Sequence, residues 1–116
     1  TTLNEPLFME CARALAMKTV TDGGSSDTER LEFVVLSCLS REPHEEELQV
    51  LQEFLDKLLQ RFNGDGVDPW PLISSDDNDK DRLRSELSDD TSPAQLAAWT
   101  ALARVVMNLD ETITKE

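Results

Sequence analysis

The sequence is poor in the residues on which small catalytic and metal-binding domains depend. Its 116 residues include two cysteines, one histidine, four glycines and no tyrosine. No Cys-x-x-Cys pair is present for zinc or redox chemistry, and no second nitrogen or sulfur ligand lies near His44 in the sequence. His44 stands in a polar turn beside three glutamates, which disfavours a role as a catalytic base. We therefore expect no cofactor, no metal and no enzymatic activity in this chain.

Long apolar runs and basic segments are also scarce. No run approaches the roughly 18 residues that a membrane span needs, and no basic-then-apolar leader opens the chain. The chain is therefore predicted to be a mature or excised piece. The net charge is −13, which disfavours binding to nucleic acid and to anionic membranes. A basic protein surface is the expected partner.

Four stretches carry apolar residues at the three-and-four spacing of an amphipathic helix. They predict helices over residues 7–20, 28–40, 45–62 and 93–110, and no strand pattern competes with them. We expect one all-α domain over residues 1–116, folded as a compact bundle of four to five amphipathic helices with a long acidic loop before the last one. The predicted inward residues include Phe8, Cys11, Ala12, Leu15, Leu31, Val34, Val35, Cys38, Leu51, Leu55, Leu58, Trp99, Leu102, Val106 and Leu109.

Both cysteines therefore lie on apolar stripes of predicted helices. Unpaired cysteine is among the residue types most often buried, so two buried thiols are the favoured interpretation. A single disulfide that joins two helices is the alternative, and the sequence does not decide between them.

Residues 64–92 differ from the rest of the chain. They contain nine acidic and three basic residues, little periodicity, and a short predicted helix near residues 81–87. Trp70 lies between Pro69 and Pro71, so it either pins this segment to the bundle or offers an aromatic contact to a partner. The partner contact predicted here consists of Trp70 with three nearby acids: Asp76, Asp77 and Asp79.

Two acidic stretches invite comparison with a calcium-binding loop. Residues 63–68 contain Asn-Gly and Asp-Gly, but Arg61 occupies the position of the first acidic ligand. Residues 76–81 lack the required glycine, because Arg82 stands in its place. We therefore interpret the first stretch as a helix-ending turn and the second as a solvated acid cluster, while weak calcium attraction by the cluster stays open.

Three blocks of sequence resemble one family. They are residues 3–8 (LNEPLF) with 12–16 (ARALA), residues 36–43 (LSCLSREP) running into 46–48 (EEL), and residues 96–111 (LAAWTALARVVMNLDE). Together they resemble the C-terminal part of a planctomycete domain of unknown function, found in large proteins that carry cytochrome-c-like modules. The resemblance covers most of the chain except residues 64–92. It implies an exported protein, extracytoplasmic or periplasmic, and transfers no catalytic residue.

These observations predict a non-catalytic helical module, structural or interacting, within a larger exported protein. The rest of that polypeptide is then its first expected partner. The alternative is an acidic docking accessory for a c-type cytochrome that transfers electrons. No Cys-x-x-Cys-His occurs in this chain, so haem attachment is expected elsewhere in such a protein.

Overall fold

Two of the helices begin at capping serines that the sequence provides. In the computed structural model, Ser26 accepts a hydrogen bond on its side chain from the Glu29 N–H at 3.2 Å. Ser92 accepts one from the Gln95 N–H at 3.2 Å, and its own N–H donates to the Gln95 side chain at 3.0 Å. This reciprocal pair is the capping box that starts the last helix.

The structure describes residues 6–24, 26–74, 77–87 and 91–114, with side chains described for 10–24, 26–74, 78–87 and 91–108. Within these residues the chain is helical and has no strand, which confirms the predicted all-α bundle. The helices are α1 (Pro6–Asp22), α2 (Asp27–Leu39), α3 (Glu45–Leu59), α4 (Trp70–Ile73), α5 (Asp77–Glu86) and α6 (Pro93–Thr114), and a π-helical turn (Gln60–Gly64) follows α3.

The last helix, α6, lies at the centre of the bundle. It contacts α1, α2, α3 and α4, and its interface with α1 is the most extensive in the molecule. Buried alanines on both helices, Ala12 and Ala16 on α1 and Ala97 on α6, let the two backbones approach closely. The larger core side chains, all less than 2% exposed, include Trp99, Leu31, Leu55, Ile73, Leu96, Leu102, Val34 and Val106.

The predicted inward stripe of α1 is wrong at one residue. Cys11 is exposed, whereas Ala12, Ala16 and Thr19 are fully buried. The close approach of α6 centres the α1 interface on these small residues, which turns Cys11 away from it. Cys11 and Cys38 do not form a disulfide. The predicted inward positions Phe8 and Leu109 lie outside the residues whose side chains are described.

The segment before α6 contains more helix than the sequence predicted. Helix α5 starts at Asp77, four residues before the predicted start, and α4 was not predicted. Acidic residues near a helix N-terminus interact favourably with the helix dipole, which accounts for the earlier start of α5. Leu83 is buried, and Leu87 packs partly buried against the core. These two leucines attach an otherwise polar helix to the bundle.

Among the described residues, no helix is both long and apolar enough to cross a lipid bilayer. The longest, α6, contains Arg104 and the acids of residues 110–111. Three of its apolar side chains, Leu96, Leu102 and Val106, are buried in the bundle. The radius of gyration is 13.7 Å, close to the ~13 Å expected for a compact domain of about 100 residues.

Candidate protein-interaction surface

Trp70, the aromatic residue of the predicted partner contact, begins α4. Its ring is half-buried and packs against the core. The Nζ atom of Lys80 and the Cζ atom of Arg84 each lie 5.1 Å from the ring centroid, a distance typical of cation–π contacts. Trp70 therefore joins α4 to the bundle and to α5. Its contact with a partner stays a prediction.

The acids predicted to accompany Trp70 have different positions. Asp76 lies outside the described residues, and Asp77 begins α5 with its side chain outside them. The Asp79 side chain is 17% exposed and forms an ion pair with Arg82. Arg82 also pairs with Glu86 at 3.1 Å. The charge of Asp79 is therefore compensated within α5, which makes it a weak attraction for a basic partner.

A groove of about 560 Å³ separates α1 from α5. Its lining is mixed in charge, with Glu10, Asp22, Arg13 and Lys18 on α1 facing Asp79 and Arg82 on α5. The Arg13 Nε–H donates to the Leu72 carbonyl at 2.8 Å, which ties α1 to α4. Because its charges nearly balance and two of them pair with each other, this groove favours no ligand of one sign.

A second groove, which we call the apolar groove, lies between α2, α3 and α6. It has a volume of about 250 Å³ and is lined by Val35, Leu39, Glu46, Glu47, Val50, Leu51 and Val106. Val50 is 63% exposed, the highest value among the large apolar side chains described. Val35, Leu51 and Val106 are buried and form the floor. The groove thus presents an apolar surface to solvent beside two glutamates.

The two glutamates of the groove differ in their contacts. Glu47 accepts hydrogen bonds from Arg41 at 2.8 and 2.9 Å and from the His44 backbone N–H at 2.9 Å. The hydrogen bonds from Arg41, followed by the one from His44, lower the pKa of Glu47 to about 2. Glu46 is exposed at the rim. Glu47 therefore stabilises the start of α3, while Glu46 is available to an incoming partner.

The acidic character extends along α2 and α3. Residues 27–56 contain nine acidic residues and two arginines. Arg41 pairs with Glu47, and Arg30 donates to the Gly24 and Val20 carbonyls at 3.2 and 3.3 Å. Both arginines thus have contacts inside the molecule, so the outer surface of this region is dominated by carboxylates.

Apolar exposure also extends along α2. Leu36 is 53% exposed and lines a hollow of about 300 Å³ with Phe33, Glu29, Glu32 and Glu42. Leu36 and the groove residue Leu39 are three residues apart on one helix, so they lie on adjoining faces. The combination of exposed aliphatic and acidic side chains is therefore repeated next to the apolar groove.

This surface was not predicted from the sequence, because the predicted contacts followed the inward apolar stripes of the helices. Leu36 and Val50 lie off those stripes, and Val50 stands among the polar residues Gln49, Gln52 and Glu53. An aliphatic residue at an outward helical position was the available signal. It is a weak one, since single exposed aliphatic residues are common on folded proteins. Only the spatial grouping with Leu39 and Val106 shows that Val50 is part of a groove.

Within the described part of the chain, no three histidine, cysteine or acidic side chains are grouped closely enough to hold a metal ion. His44 is exposed at the start of α3. Residues 63–64 complete the π-helical turn, and Gly66 follows with a φ of 72°. Residues 63–68 therefore end a helix and turn the chain, the interpretation preferred over a calcium loop.

Comparisons with protein-family models, with curated proteins and with solved structures found no match for this chain. The resemblance to the planctomycete domain therefore stays a prediction that rests on the quoted blocks of sequence. On the described surface, the apolar groove is the feature with the clearest chemical character.

Proposed function

We propose that this chain is a non-catalytic helical interaction module that holds a segment of another protein, or of its own longer polypeptide, in the apolar groove. The observation that carries the proposal is an open groove with an apolar floor and an exposed valine. Covering an exposed apolar surface with a second apolar surface removes both from water and lowers the free energy. The core beneath is complete without such a cover, because Leu55, Trp99 and Leu102 are already buried.

Carboxyl footprinting tests this proposal. The chain in its native protein and the recombinant chain are treated with a carbodiimide and an amine, and modification is measured by mass spectrometry. We expect Glu46 to be modified less in the native protein, since a bound segment covers the rim of the groove. Glu10, exposed on α1 and absent from the lining of the apolar groove, is the matched control. Equal modification of Glu46 in both samples would contradict the proposal.

We further propose that the longer protein is an exported planctomycete protein of the family that the sequence resembles. The resembling blocks supply residues of α1 and α6, the two helices with the most extensive interface, so they coincide with the centre of the bundle. Determination of the preceding coding sequence tests this. A signal peptide and a Cys-x-x-Cys-His module are expected there, and a complete enzyme domain with its own nucleophile would contradict it.

The alternative function is docking of a basic c-type cytochrome. It is favoured by the exposed carboxylates at the start of α3, where Glu45 and Glu46 stand beside the groove. Electrostatic docking of this kind weakens as salt screens the charges. Calorimetric titration with a basic c-type cytochrome at ~0.05 M and ~0.5 M NaCl measures it. Binding at low salt that is lost at high salt supports this alternative, and no binding at low salt excludes it.

A further inference from the structure

We infer that the apolar groove binds a basic amphipathic helix of the partner, with aliphatic side chains of that helix on Val50 and Leu39 and its lysines or arginines beside Glu46. The inference rests on the proposed function and names the chemistry of the segment held. Three properties of the groove lead to it: its size, the kind of backbone around it, and its charge.

The small volume of the groove favours binding of a few side chains of a partner over binding of a small molecule. Its volume of about 250 Å³ lies below the roughly 300–1,000 Å³ typical of small-molecule pockets, which also enclose most of the ligand. This groove is open along one side, where Val50 is 63% exposed. A few aliphatic side chains from a partner fit this volume, while the rest of the partner stays outside.

The secondary structure around the groove favours a bound segment that is helical. The groove is formed by α2, α3 and α6, and the part of the chain that the structure describes contains no strand edge to which an extended peptide could add. An apolar groove between helices accepts the apolar face of an amphipathic helix, read as positions i, i+3, i+4 and i+7. The acidic and apolar side chains of the hollow around Leu36 extend the same contact along α2.

The charge of the groove selects a basic partner over a second copy of this chain. Glu46 and Glu47 line the groove, Glu42 and Glu45 are exposed nearby, and Arg41 is already paired with Glu47. In a two-fold symmetric dimer the same patch would face itself, so these carboxylates would oppose one another in chains of charge −13. Lysine or arginine side chains instead complement them.

The test uses a synthetic helical peptide as the probe. The probe has leucine at the i, i+3, i+4 and i+7 positions, lysine on the flanks and alanine elsewhere, and its binding to the chain is measured by fluorescence anisotropy. One control peptide replaces the leucines by serine, and the other replaces the lysines by glutamate. We expect the serine peptide to bind at least about tenfold more weakly, because the apolar contact supplies most of the affinity. The glutamate peptide is expected not to bind.

Variants of the chain locate the binding site. Val50→Ser is expected to weaken binding of the leucine–lysine peptide about tenfold. Its matched control is Val67→Ser, at an exposed valine beyond the other end of α3, which should leave binding unchanged. Glu46→Gln is expected to weaken binding roughly two- to fivefold at low salt, whereas Glu10→Gln, with the same change of charge, should not.

Several outcomes would overturn the inference. Equal binding of the serine and leucine peptides would show attraction by charge alone, and equal binding of the glutamate peptide would show that charge plays no part. Self-association of the chain that Val50→Ser abolishes, measured by sedimentation, together with no binding of the leucine–lysine peptide, would assign the groove to a second copy. No binding of the leucine–lysine peptide, combined with protection of Glu46 in the native protein, would refute the basic helix and leave the proposed function standing.

Discussion

Two regions of this molecule carry most of its negative charge and use it differently. Residues 27–56 hold nine acidic and two basic residues, and residues 64–92 hold nine acidic and three basic ones. In the second region Arg82 pairs with Asp79 and Glu86, while Lys80 and Arg84 cover Trp70. In the first, exposed glutamates stand beside exposed Val50. Net charge alone therefore does not distinguish the two regions, whereas exposed apolar area beside the charge does, and it defines the surface proposed for docking.

Disruption of the hydrophobic core on which both regions pack should cause the largest loss of stability. Trp99 is 1% exposed on the central helix, so Trp99→Ala leaves a large cavity and is expected to cost about 3–5 kcal/mol of unfolding free energy. Urea unfolding followed by circular dichroism measures the loss. A cost below about 1 kcal/mol would show that the two regions do not depend on a common core.

A pair of leucine truncations should separate the two regions. Leu55 of α3 is fully buried, so Leu55→Ala is expected to cost about 2–5 kcal/mol in global unfolding. Leu83 of α5 is buried on a helix that has few other apolar anchors, so Leu83→Ala should release α5 locally. Faster tryptic cleavage at Lys80, Arg82 and Arg84, with a smaller change in global stability, is the expected result. An equal global cost for both variants would mean that α5 folds as one unit with the bundle.

The contact between Trp70 and its two cations should have a smaller effect. The chain has two tryptophans, so Trp70 is the only one that remains in a Trp99→Phe background. Lys80→Gln with Arg84→Gln is expected to increase acrylamide quenching of Trp70 and to cost about 0.5–1 kcal/mol per cation. Unchanged quenching would show that these cations do not shield the ring. The double variant Lys18→Gln with Lys57→Gln, which removes two exposed cations from α1 and α3, is the matched control.

The smallest expected effect concerns Glu47 at the apolar groove. Its pKa is about 2 in the folded chain, against about 4.5 for a glutamate without such contacts. A lowered pKa means that the stabilisation is fully present above about pH 4.5 and is lost as pH falls toward 2. Glu47→Gln should therefore lose less stability across that window than the original chain does. Arg41→Gln should flatten the same part of the curve, and urea unfolding at several pH values checks both.

The sequence predicted the main helices because their signals are local. Serine caps, the capping box at Ser92 and the apolar stripe of α3 each depend on residues within a few positions of one another. Helix α4 carries no such signal, because it has four residues, one of them proline. The exposure of Cys11 was missed for another reason. The face that α1 presents to the core depends on where α6 packs, and no periodicity within α1 contains that information.

The candidate surface was predictable to a smaller extent. The expectation of a basic partner came from composition, but its predicted location at Trp70 came from a single aromatic residue between prolines. The cations that cover Trp70 lie ten and fourteen residues further along the chain, so their contact with the ring follows from how α5 packs. The apolar groove joins residues of α2, α3 and α6. Such a site exists only once these helices have packed.

The central position of α6 has a consequence for how the chain folds. Its most extensive interface is with α1, and the two helices are separated by about seventy residues of sequence. Closing so long a loop before its contacts can form slows folding, and the relative contact order is higher than in a bundle of sequential neighbours. During synthesis α1 to α5 leave the ribosome before the helix around which they pack. Their apolar faces then lack their main packing partner until α6 emerges, so this interval is when the nascent chain is most exposed to aggregation.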